Sequence, residues 1–436
     1  MIQNQPLTKE QRAKSQTNYN IFNLINGLSY MCLGETVLIL LAVRLGCPDY
    51  IIAILGAIQY LGYVLLPLGK NVTAKVGAAR TQSVFWIARN TAALLVASSA
   101  FVSATFGDLT SSTILLLCGA FLFYGFRAAG AVMAQPLIGD ITTDADRGKF
   151  LGFNAGIFYI SALVALSSIS FLLKISDNLN MLTGIIIVGA VLGFISSQLV
   201  NRVDETESPR NSARKSIKSE LRATLQDKSL LRLLWAGLSV NVAVITIMPI
   251  SMLALKRGYG VSDTDALLYA LAQFGACAVG SFVSGKISNA IGPRKAMLYN
   301  YILLLGAGVL WFVCPQELNR ILMIFTFLLV GSTYIGTYNS VMHYFLQSVP
   351  SERHVSGSIF IAVVNGVGAG IIGMLLSGFL LDICDNFAPE GNPLYGYKTY
   401  FVIIAFLLTP GIWLIARLAP LPLEKRKIEK SWSETT

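Results

Sequence analysis

The chain has 436 residues, of which 54% are hydrophobic and 13% are charged, and its formal net charge is +10. In soluble globular proteins about a quarter of the residues are charged, so this composition argues against that class and indicates that lipid surrounds much of the chain. The basic residues are divided among short loops rather than forming one stripe, which argues against a nucleic-acid-binding protein.

The amino-terminal segment, residues 1–20, is polar and carries Lys9, Arg12 and Lys14. It lacks an apolar core followed by the small residues of a cleavage site, so we expect no cleaved signal peptide. We predict that residues 1–20 form a cytoplasmic tail and that the first apolar segment targets the chain to the membrane.

Twelve apolar runs follow, each nearly free of charge and long enough to cross a bilayer core about 30 Å thick. Runs such as 185–188 and 302–305 are apolar on every side, unlike the one-sided helices of a soluble protein. The predicted fold class is an all-α membrane protein of about twelve transmembrane helices. We place these helices at 21–43, 50–68, 82–106, 113–138, 150–173, 181–200, 233–254, 266–284, 296–314, 321–345, 357–381 and 399–416.

The longest connection, residues 201–232, is polar and basic and separates six predicted helices from the other six. We therefore predict an amino-terminal six-helix bundle over 21–200, a cytoplasmic linker over 201–232, a carboxyl-terminal six-helix bundle over 233–418 and a cytoplasmic tail over 419–436. Within the linker, residues 216–230 form either a short helix on anionic lipid headgroups or a solvated connection.

The distribution of basic residues predicts the orientation of the chain. Cytoplasmic loops are enriched in Lys and Arg, and with the amino terminus inside, most of the 33 basic residues fall in cytoplasmic segments. Both termini are therefore predicted to be cytoplasmic, in a multi-pass protein of the cytoplasmic (inner) membrane. The predicted outer loops hold only Arg44, Lys174, Lys256, Arg257, Arg320 and Lys398.

The residues that enzymes and metal sites require are scarce. The six cysteines are scattered without the paired spacing of a metal site or a disulfide framework, and only two histidines are present. Paired carboxylates within the apolar runs, and a nucleophile with a base in reach, are also missing. We expect no enzymatic activity, no metal and no cofactor.

Two features repeat between the halves of the chain. The connection after the second predicted helix has Gly69, Gly77 and Arg80, and the connection after the eighth has Gly285, Gly292 and Arg294. A second echo follows the fourth helix of each half, where Arg147 corresponds to Arg353. Sequence features that recur at corresponding positions of both halves indicate an internal duplication.

These connections resemble the loop of the major facilitator superfamily that reads Gly-x-x-x-Asp-Arg-x-Gly-Arg-Arg and recurs in the second half. The second copy fits in spacing, with Asn289 at the position of the acidic residue, whereas the first keeps Lys75, Gly77 and Arg80 but has Ala74 there. The resemblance implies two pseudo-symmetric six-helix bundles and a secondary transporter. It also implies gating roles for Gly69, Lys75, Gly77, Arg80, Arg147, Gly285, Asn289, Gly292, Arg294 and Arg353.

Three charged side chains fall well inside predicted helices: Glu35 in helix 1, Arg89 in helix 3 and Arg127 in helix 4. A charge at mid-bilayer costs at least about 2.5 to 3.5 kcal/mol, so it is normally paired or faces an aqueous cavity. In the family that this chain resembles, helices 1 and 4 line the central cleft and helix 3 packs outside it. We therefore predict a substrate or gating role for Arg127, either a coupling or a structural role for Glu35, and a structural ion pair or interfacial position for Arg89.

Polar side chains within the helices supply further candidates for the binding of a solute or a proton. Tyr124, Arg127 and Gln135 share one face of predicted helix 4 by their spacing. In the second half, the hydrogen-bonding candidates are Tyr269, Gln273, Tyr334, Tyr338 and Asn365. The alternative for each residue alone is an interhelical hydrogen bond.

Proton coupling requires an ionisable group that can titrate near physiological pH, and Glu35 is the carboxylate that the sequence places in a helix core. His343 is a second candidate, or else an interfacial residue. The segment 154–159 of helix 5 lacks proline, which favours symport over antiport in this family.

We predict a secondary active transporter that takes up a small organic solute by alternating access, coupled to protons, with an anionic solute preferred. The expected partners are this solute, protons and the lipid bilayer, and the chain is expected to be a monomer. The alternatives are a proton-coupled exporter of drugs or lipids, and a membrane sensor or scaffold that transports nothing.

Overall fold

The computed structural model describes residues 2–47, 51, 55, 58, 61–176, 178–215, 222, 226–261, 263–389 and 392–421. Its two short strands, β1 (Ile2–Gln3) and β2 (Glu205–Thr206), form a parallel pair. In chain order the helices are α1 (Lys9–Cys32), α2 (Glu35–Arg44), α3 (Leu66–Val76), α4 (Ala78–Phe106), α5 (Leu109–Ala131), α6 (Ala134–Ile141), α7 (Arg147–Ile175), α8 (Leu179–Asn201), α9 (Ser208–Arg214), α10 (Lys228–Leu253), α11 (Asp263–Ile291), α12 (Pro293–Val313), α13 (Arg320–Ser348), α14 (His354–Ile361), α15 (Ala369–Asn386), α16 (Pro393–Leu407) and α17 (Pro410–Ala416).

Within the described residues, 11 helical runs are long and apolar enough to cross a membrane. Each run contains or overlaps one predicted helix, and the remaining predicted helix, 50–68, lies largely outside the described residues. The runs are Lys9–Arg44, Ala78–Phe106, Leu109–Ile141, Arg147–Ile175, Leu179–Asn201, Lys228–Gly258, Leu268–Ile291, Pro293–Val313, Arg320–Ser348, Ser351–Cys384 and Leu394–Ala416.

Polar caps fix where several helices begin. The carboxylate of Asp108 accepts hydrogen bonds from the backbone at the start of α5, and Asp227 does the same at the start of α10. Asn178 caps α8 and Asn319 caps α13 in the same way. Each cap satisfies backbone N–H groups that have no partner within the helix, typically contributing about 1 kcal/mol.

Five of the spanning runs are not uniform α-helix. The first is interrupted at 33–34 between α1 and α2, the third at 132–133 between α5 and α6, and the eleventh at 408–409 between α16 and α17. The sixth run ends in a π-helical turn, Ala254–Gly258, and in the tenth run another, Ala362–Gly368, joins α14 to α15. Such irregular turns often mark functional positions in membrane helices, because they release backbone groups from the α-helical ladder.

The surfaces of the spanning helices are apolar. Ile321 is 82% exposed, Phe406 is 75% exposed and Phe101 is 65% exposed. Exposed side chains of this kind are unfavourable in water and favourable in hydrocarbon, which is the expected pattern for helices that face lipid.

The described chain divides into two compact units. Unit 1 comprises 1–143, 157–220 and 351–359. Its core is formed mainly where α4 packs against α5 and α8, and where α8 packs against α1. Gly119 permits the close approach of α5 to α4, because a Cβ there would lie 2.8 Å from the Val96 side chain.

Unit 2 comprises 144–156, 221–350 and 360–436. Here α13 packs against α11 and α12, and α10 packs against α15. Trp311 of α12 is fully buried, stacks on Phe401 of α16 with 5.1 Å between the ring centroids, and donates its indole N–H to Ser251 of α10 at 3.0 Å. This tryptophan therefore links three helices at the centre of the unit.

Candidate functional site

Arg127 lies on α5 in unit 1 and is half-buried. Its guanidinium carbon is 4.5 Å from the ring centroid of Tyr30 on α1, which is the geometry of a cation–π contact. The Tyr30 ring in turn lies 5.9 Å from that of Phe158 on α7. A partly exposed cationic group beside aromatic faces is thus held within a spanning segment.

The other two members of the predicted polar face are placed differently. Tyr124 is 3% exposed and packs against Phe123. Gln135 lies on α6, beyond the interruption at 132–133, so it does not continue the face of α5 in unbroken register. Its Oε1 is buried and has no hydrogen-bond partner among the described residues.

Arg89 on α4 differs from the sequence expectation of an ion pair or an interfacial position. It is fully buried, and its guanidinium donates to Asn26 Oδ1 at 3.1 Å, to Ser29 Oγ at 3.2 Å and to Asn90 Oδ1 at 3.1 and 3.2 Å. Its guanidinium carbon also lies 4.9 Å from the Trp86 ring centroid. Neutral oxygens and an aromatic face therefore satisfy this cation, and its role is to hold α1 against α4.

Glu35 occupies the first position of α2, directly after the interruption of the first spanning run. Its side chain lies outside the part of the chain that the structure describes. The coupling or structural role of Glu35 therefore stays a prediction.

The polar candidates of unit 2 lie on α11, on α13 and in the π-helical turn Ala362–Gly368. Tyr269 and Gln273 are 5% and 4% exposed, Asn365 is 6% exposed, and Tyr338 is 40% exposed. Tyr334 is half-buried. The side-chain nitrogen of Gln273 and both polar atoms of Asn365 are buried and have no hydrogen-bond partner within the described residues.

Asn365 packs directly on the backbone of α10. A Cβ at Gly237 would collide with the Asn365 amide, so the glycine makes room for this side chain. The π-helical turn thus places an amide with unused hydrogen-bonding capacity against a neighbouring helix.

Three of the predicted gating residues come together in unit 2. Arg147 is 6% exposed and donates to Asp144 Oδ1 at 2.7 Å and to the Leu346 carbonyl at 3.0 Å. Asn289 donates from Nδ2 to the Ala145 carbonyl at 3.1 Å. Gly285 lies so close to the start of α7 that a Cβ there would be 2.5 Å from the Gly148 carbonyl oxygen.

His343 on α13 is fully buried. Its Nδ1 is 2.7 Å from Ser288 Oγ, and its ring packs on Gly148, where a Cβ would be 2.8 Å from two ring atoms. Nε2 has no hydrogen-bond partner among the described residues. The imidazole therefore belongs to the same junction as Arg147 and Asn289.

The remaining gating candidates from the second half of the sequence are placed around helix starts. Gly292 has φ +92° directly before α12. Arg294 donates to the Leu418 carbonyl at 3.1 Å. Arg353, which belongs to unit 1, is half-buried in the short 3₁₀ turn Ser351–Arg353 before α14.

The first copy of the repeated loop, in unit 1, has a different set of partners. Gly69 packs on the backbone of α5 so closely that a Cβ would collide with the Ala129 carbonyl oxygen. Gly77 has φ +89°, a conformation that favours glycine, and it immediately precedes α4. Lys75 and Arg80 are exposed.

Glu205, which sequence reasoning did not single out, supplies an acidic group to this loop. Its carboxylate accepts from the backbone N–H groups of Ala78 at 2.8 Å and Ala79 at 3.1 Å, and the side chain is 2% exposed. Burial raises the pKa of Glu205 to about 7, with the nearby carboxylate of Asp140 acting in the same direction. The loop thus receives an acid from β2 although it has Ala74 at the family's acidic position.

Hydrogen bonds hold residues 202–214 against the rest of unit 1. Asp204 N–H donates to Ser15 Oγ at 3.0 Å, Thr206 donates its hydroxyl to Asp140 at 2.7 Å, and Arg214 donates to the Ala74 carbonyl at 3.3 Å. This segment, predicted as part of a linker, is therefore ordered on α1, α3 and α6.

A family model of the Major Facilitator Superfamily matches residues 21–373. The chain belongs to the major facilitator superfamily. It is therefore a multi-pass membrane protein and a secondary transporter of a small-molecule solute rather than an enzyme, and the predicted fold of about twelve helices in the arrangement of this superfamily is confirmed.

Solved structures agree with the superfamily fold. An E. coli fucose:proton symporter is 13% identical, with a TM-score of 0.65 over 92% of this chain and 98% of that chain. A bacterial homologue of the iron transporter ferroportin in the outward-facing state is 13% identical, with a TM-score of 0.71 over 93% and 99% of the two chains. A human organic anion transporter is 12% identical, with a TM-score of 0.68 over 93% and 99%. A search of curated protein sequences finds no match.

Proposed function

We propose that this transporter of the major facilitator superfamily takes up a small organic anion, with hydroxyl groups as further points of recognition, in symport with protons. The observation that carries this proposal is the position of Arg127, which is half-buried and stacked on Tyr30 within a spanning segment. A cation that keeps part of its surface accessible there attracts an anionic group of a solute.

The contrast with Arg89 strengthens the assignment. Arg89 is fully buried, and its donors are engaged by Asn26, Ser29 and Asn90. Arg127 is therefore the better candidate of the two buried-segment arginines for contact with a solute.

The polar groups of unit 2 support recognition of hydroxyl groups. Gln273 and Asn365 are buried with amide atoms that have no partner among the described residues, and such atoms are costly to leave unused. A solute with several hydroxyl groups would satisfy them. Tyr124, Gln135, Tyr269, Tyr334 and Tyr338 remain candidates for the same recognition.

We further propose that Glu35 carries the proton, that both termini are cytoplasmic, and that the monomer resides in the cytoplasmic membrane. The sequence supports these points through the single carboxylate in a predicted helix core and the excess of basic residues in alternate loops. The fucose:proton symporter shows that proton symport occurs in a protein of this fold.

Counterflow in proteoliposomes with three matched solutes tests the substrate class: a sugar acid, the neutral sugar of the same skeleton and the corresponding amino sugar. We expect exchange to be fastest for the acid and Arg127→Gln to slow it by at least about tenfold, because the solute loses a charge-assisted hydrogen bond in a desolvated site. Arg127→Lys should retain part of the activity, because lysine keeps the charge but not the planar fork.

Lys174→Gln is the matched control, because Lys174 is exposed at the end of α7 and its loss removes the same charge. Equal exchange of the acid and the neutral sugar, unaffected by Arg127→Gln, would contradict an anionic substrate. Transport that proceeds only outward in right-side-out vesicles would favour the exporter instead.

Proton coupling is tested separately with Glu35→Gln. We expect this variant to lose accumulation driven by a pH gradient while it retains counterflow exchange, because exchange needs no net proton movement. Undiminished pH-driven accumulation would rule out Glu35 as the proton carrier.

A further inference from the structure

A cavity of about 850 Å³ lies in unit 1, between α1, the start of α4 and the residues that follow α8. Its lining includes three cationic side chains from three separate segments: Lys14, Arg80 and Arg202. All three are exposed, and Asn18 and Asn201 add amide groups to the same walls. A volume of several hundred cubic ångströms with converging polar groups is typical of a ligand site.

Two acidic residues also line the cavity but leave an excess of positive charge. The oxygens of Glu205 are engaged by the N–H groups of Ala78 and Ala79, and the side chain is 2% exposed. Asp204 is half-buried and is the second of these two acidic residues, whereas the lining contains three cations. Within the ranges that the structure describes, none of the three cations forms an ion pair with a carboxylate.

The three cations stand at corresponding ends of apolar segments. Lys14 precedes the apolar run that begins at 21, Arg80 precedes the run that begins at 82, and Arg202 follows the run that ends at 200. At 1.5 Å per helical residue, each cation lies within about 10 Å of the end of its run. This is the level at which basic side chains meet lipid headgroups.

We propose that this cavity binds a phosphate-bearing anion, supplied by the headgroup of an anionic phospholipid or by a soluble phosphate ester. Two arginines and a lysine from different segments surround such a group, and arginine matches phosphate oxygens with two parallel hydrogen bonds. Because the site joins α1, α4 and the segment after α8, its occupant would hold these segments together.

Thermal unfolding of the full-length protein in an uncharged detergent tests the proposal. The ligands are short-chain phosphatidylglycerol, phosphatidylcholine with the same chains, and glycerol phosphate. We expect phosphatidylglycerol to raise Tm in a saturable manner, because a ligand that binds only the folded state stabilises it. Each basic residue contributes about fivefold to affinity, so Arg80→Gln with Arg202→Gln should weaken binding by about 25-fold.

Two further double variants separate charge at the site from general effects. Lys9→Gln with Lys174→Gln removes the same charge from exposed positions outside the cavity lining and should leave the affinity unchanged. Arg80→Lys with Arg202→Lys keeps the charge and should retain binding within a few-fold, which controls for damage to the fold.

The arms of the titration identify the source of the anion. A shift with phosphatidylglycerol alone supports the lipid headgroup, and a shift with glycerol phosphate as well supports a soluble ester at the same site. Three results would overturn the proposal: an equal shift with phosphatidylcholine, equal weakening by the control variant, or no saturable shift with either anion.

Discussion

The two copies of the repeated loop, 69–80 in unit 1 and 285–295 in unit 2, end in the same backbone turn. Gly77 has φ +89° and Gly292 has φ +92°, and each directly precedes a helix. The side chains that surround the turns differ. The first copy is held by the carboxylate of Glu205, whereas the second packs through Asn289 and through Ser288, which contacts His343.

The duplication has therefore preserved the backbone geometry of the turn, while the side chains that surround the turn have diverged. A positive φ is required by the turn itself, and glycine meets that requirement in both copies. The partner of the following helix is free to change, because backbone N–H groups donate to any well-placed oxygen. Acid-base sensitivity is therefore expected at the unit 1 loop in particular.

The largest expected effect concerns the pH dependence contributed by Glu205. Its pKa is about 7 in the folded protein against 4.5 for an unperturbed carboxyl, so the folded state binds more protons than the unfolded state between these values. The contribution of Glu205 to the free energy of unfolding is therefore fully present below about pH 4.5. As the pH rises to about 7, this contribution falls by an amount of the order of 3 kcal/mol.

Glu205→Gln removes this titration while keeping a side-chain oxygen near Ala78. Thermal unfolding across pH 4.5 to 8 should show a flatter profile for the variant than for the wild type. Asn289→Asp is the counterpart in unit 2, because it introduces an acid at the other copy of the loop. Parallel pH profiles for wild type and Glu205→Gln would show that the difference between the loops is not one of ionisation.

A smaller effect is expected from alanine at the two turn glycines. Either substitution places a residue with a side chain at φ 89° and ψ 171° or at φ 92° and ψ 150°, a region essentially restricted to glycine, which costs about 1 to 3 kcal/mol. At Gly77 the added Cβ would also collide with the Glu205 carboxylate, so Gly77→Ala should cost more than Gly292→Ala.

Repeating Gly77→Ala in a Glu205→Ala background tests whether the contact with Glu205 causes the larger loss in Tm. The two glycine substitutions should then lower Tm by similar amounts, because the collision has been removed while the backbone strain remains. A difference that persists in this background would place the cause outside the contact with Glu205.

The smallest expected effect is that of Ser288→Ala in unit 2. The substitution removes the hydroxyl that lies 2.7 Å from His343 Nδ1 and leaves that buried nitrogen without this partner, at a cost of about 1 kcal/mol. Ser168→Ala is a suitable control, because the Ser168 hydroxyl bonds only to the backbone of its own helix at an exposed position. Equal losses in Tm would indicate that the contact with His343 contributes nothing to stability.

The helices were predictable because long apolar runs are forced by the thickness of the bilayer. The interruptions were not predicted, although Pro136 stands four residues after Val132 and cannot donate the helical hydrogen bond to its carbonyl. The register between Arg127 and Gln135 consequently differs from the prediction. Arg127 was singled out as a candidate for a substrate or gating role from its charge within an apolar run, which is a local signal.

Residues whose role depends on distant partners escaped the sequence analysis. Arg89 was assigned to an ion pair or an interfacial position, but its partners include Asn26 and Ser29 on another helix. Neutral side chains give no electrostatic signal of pairing. Glu205 was missed because it bonds to backbone N–H groups, which every sequence position offers. The burial of His343 likewise depends on glycine at position 148.

The environment of Arg89 has a consequence for the energy of transport. Its partners are electrically neutral dipoles, so the cluster carries a whole positive charge within a membrane segment. The energy of any displacement of this helix pair along the membrane normal therefore depends on the transmembrane voltage, by about 2.3 kcal/mol for a full crossing at 100 mV, with a sign set by the direction of movement. The step of the cycle that moves α4 would then depend on voltage even if the solute and its co-transported ion together carried no net charge.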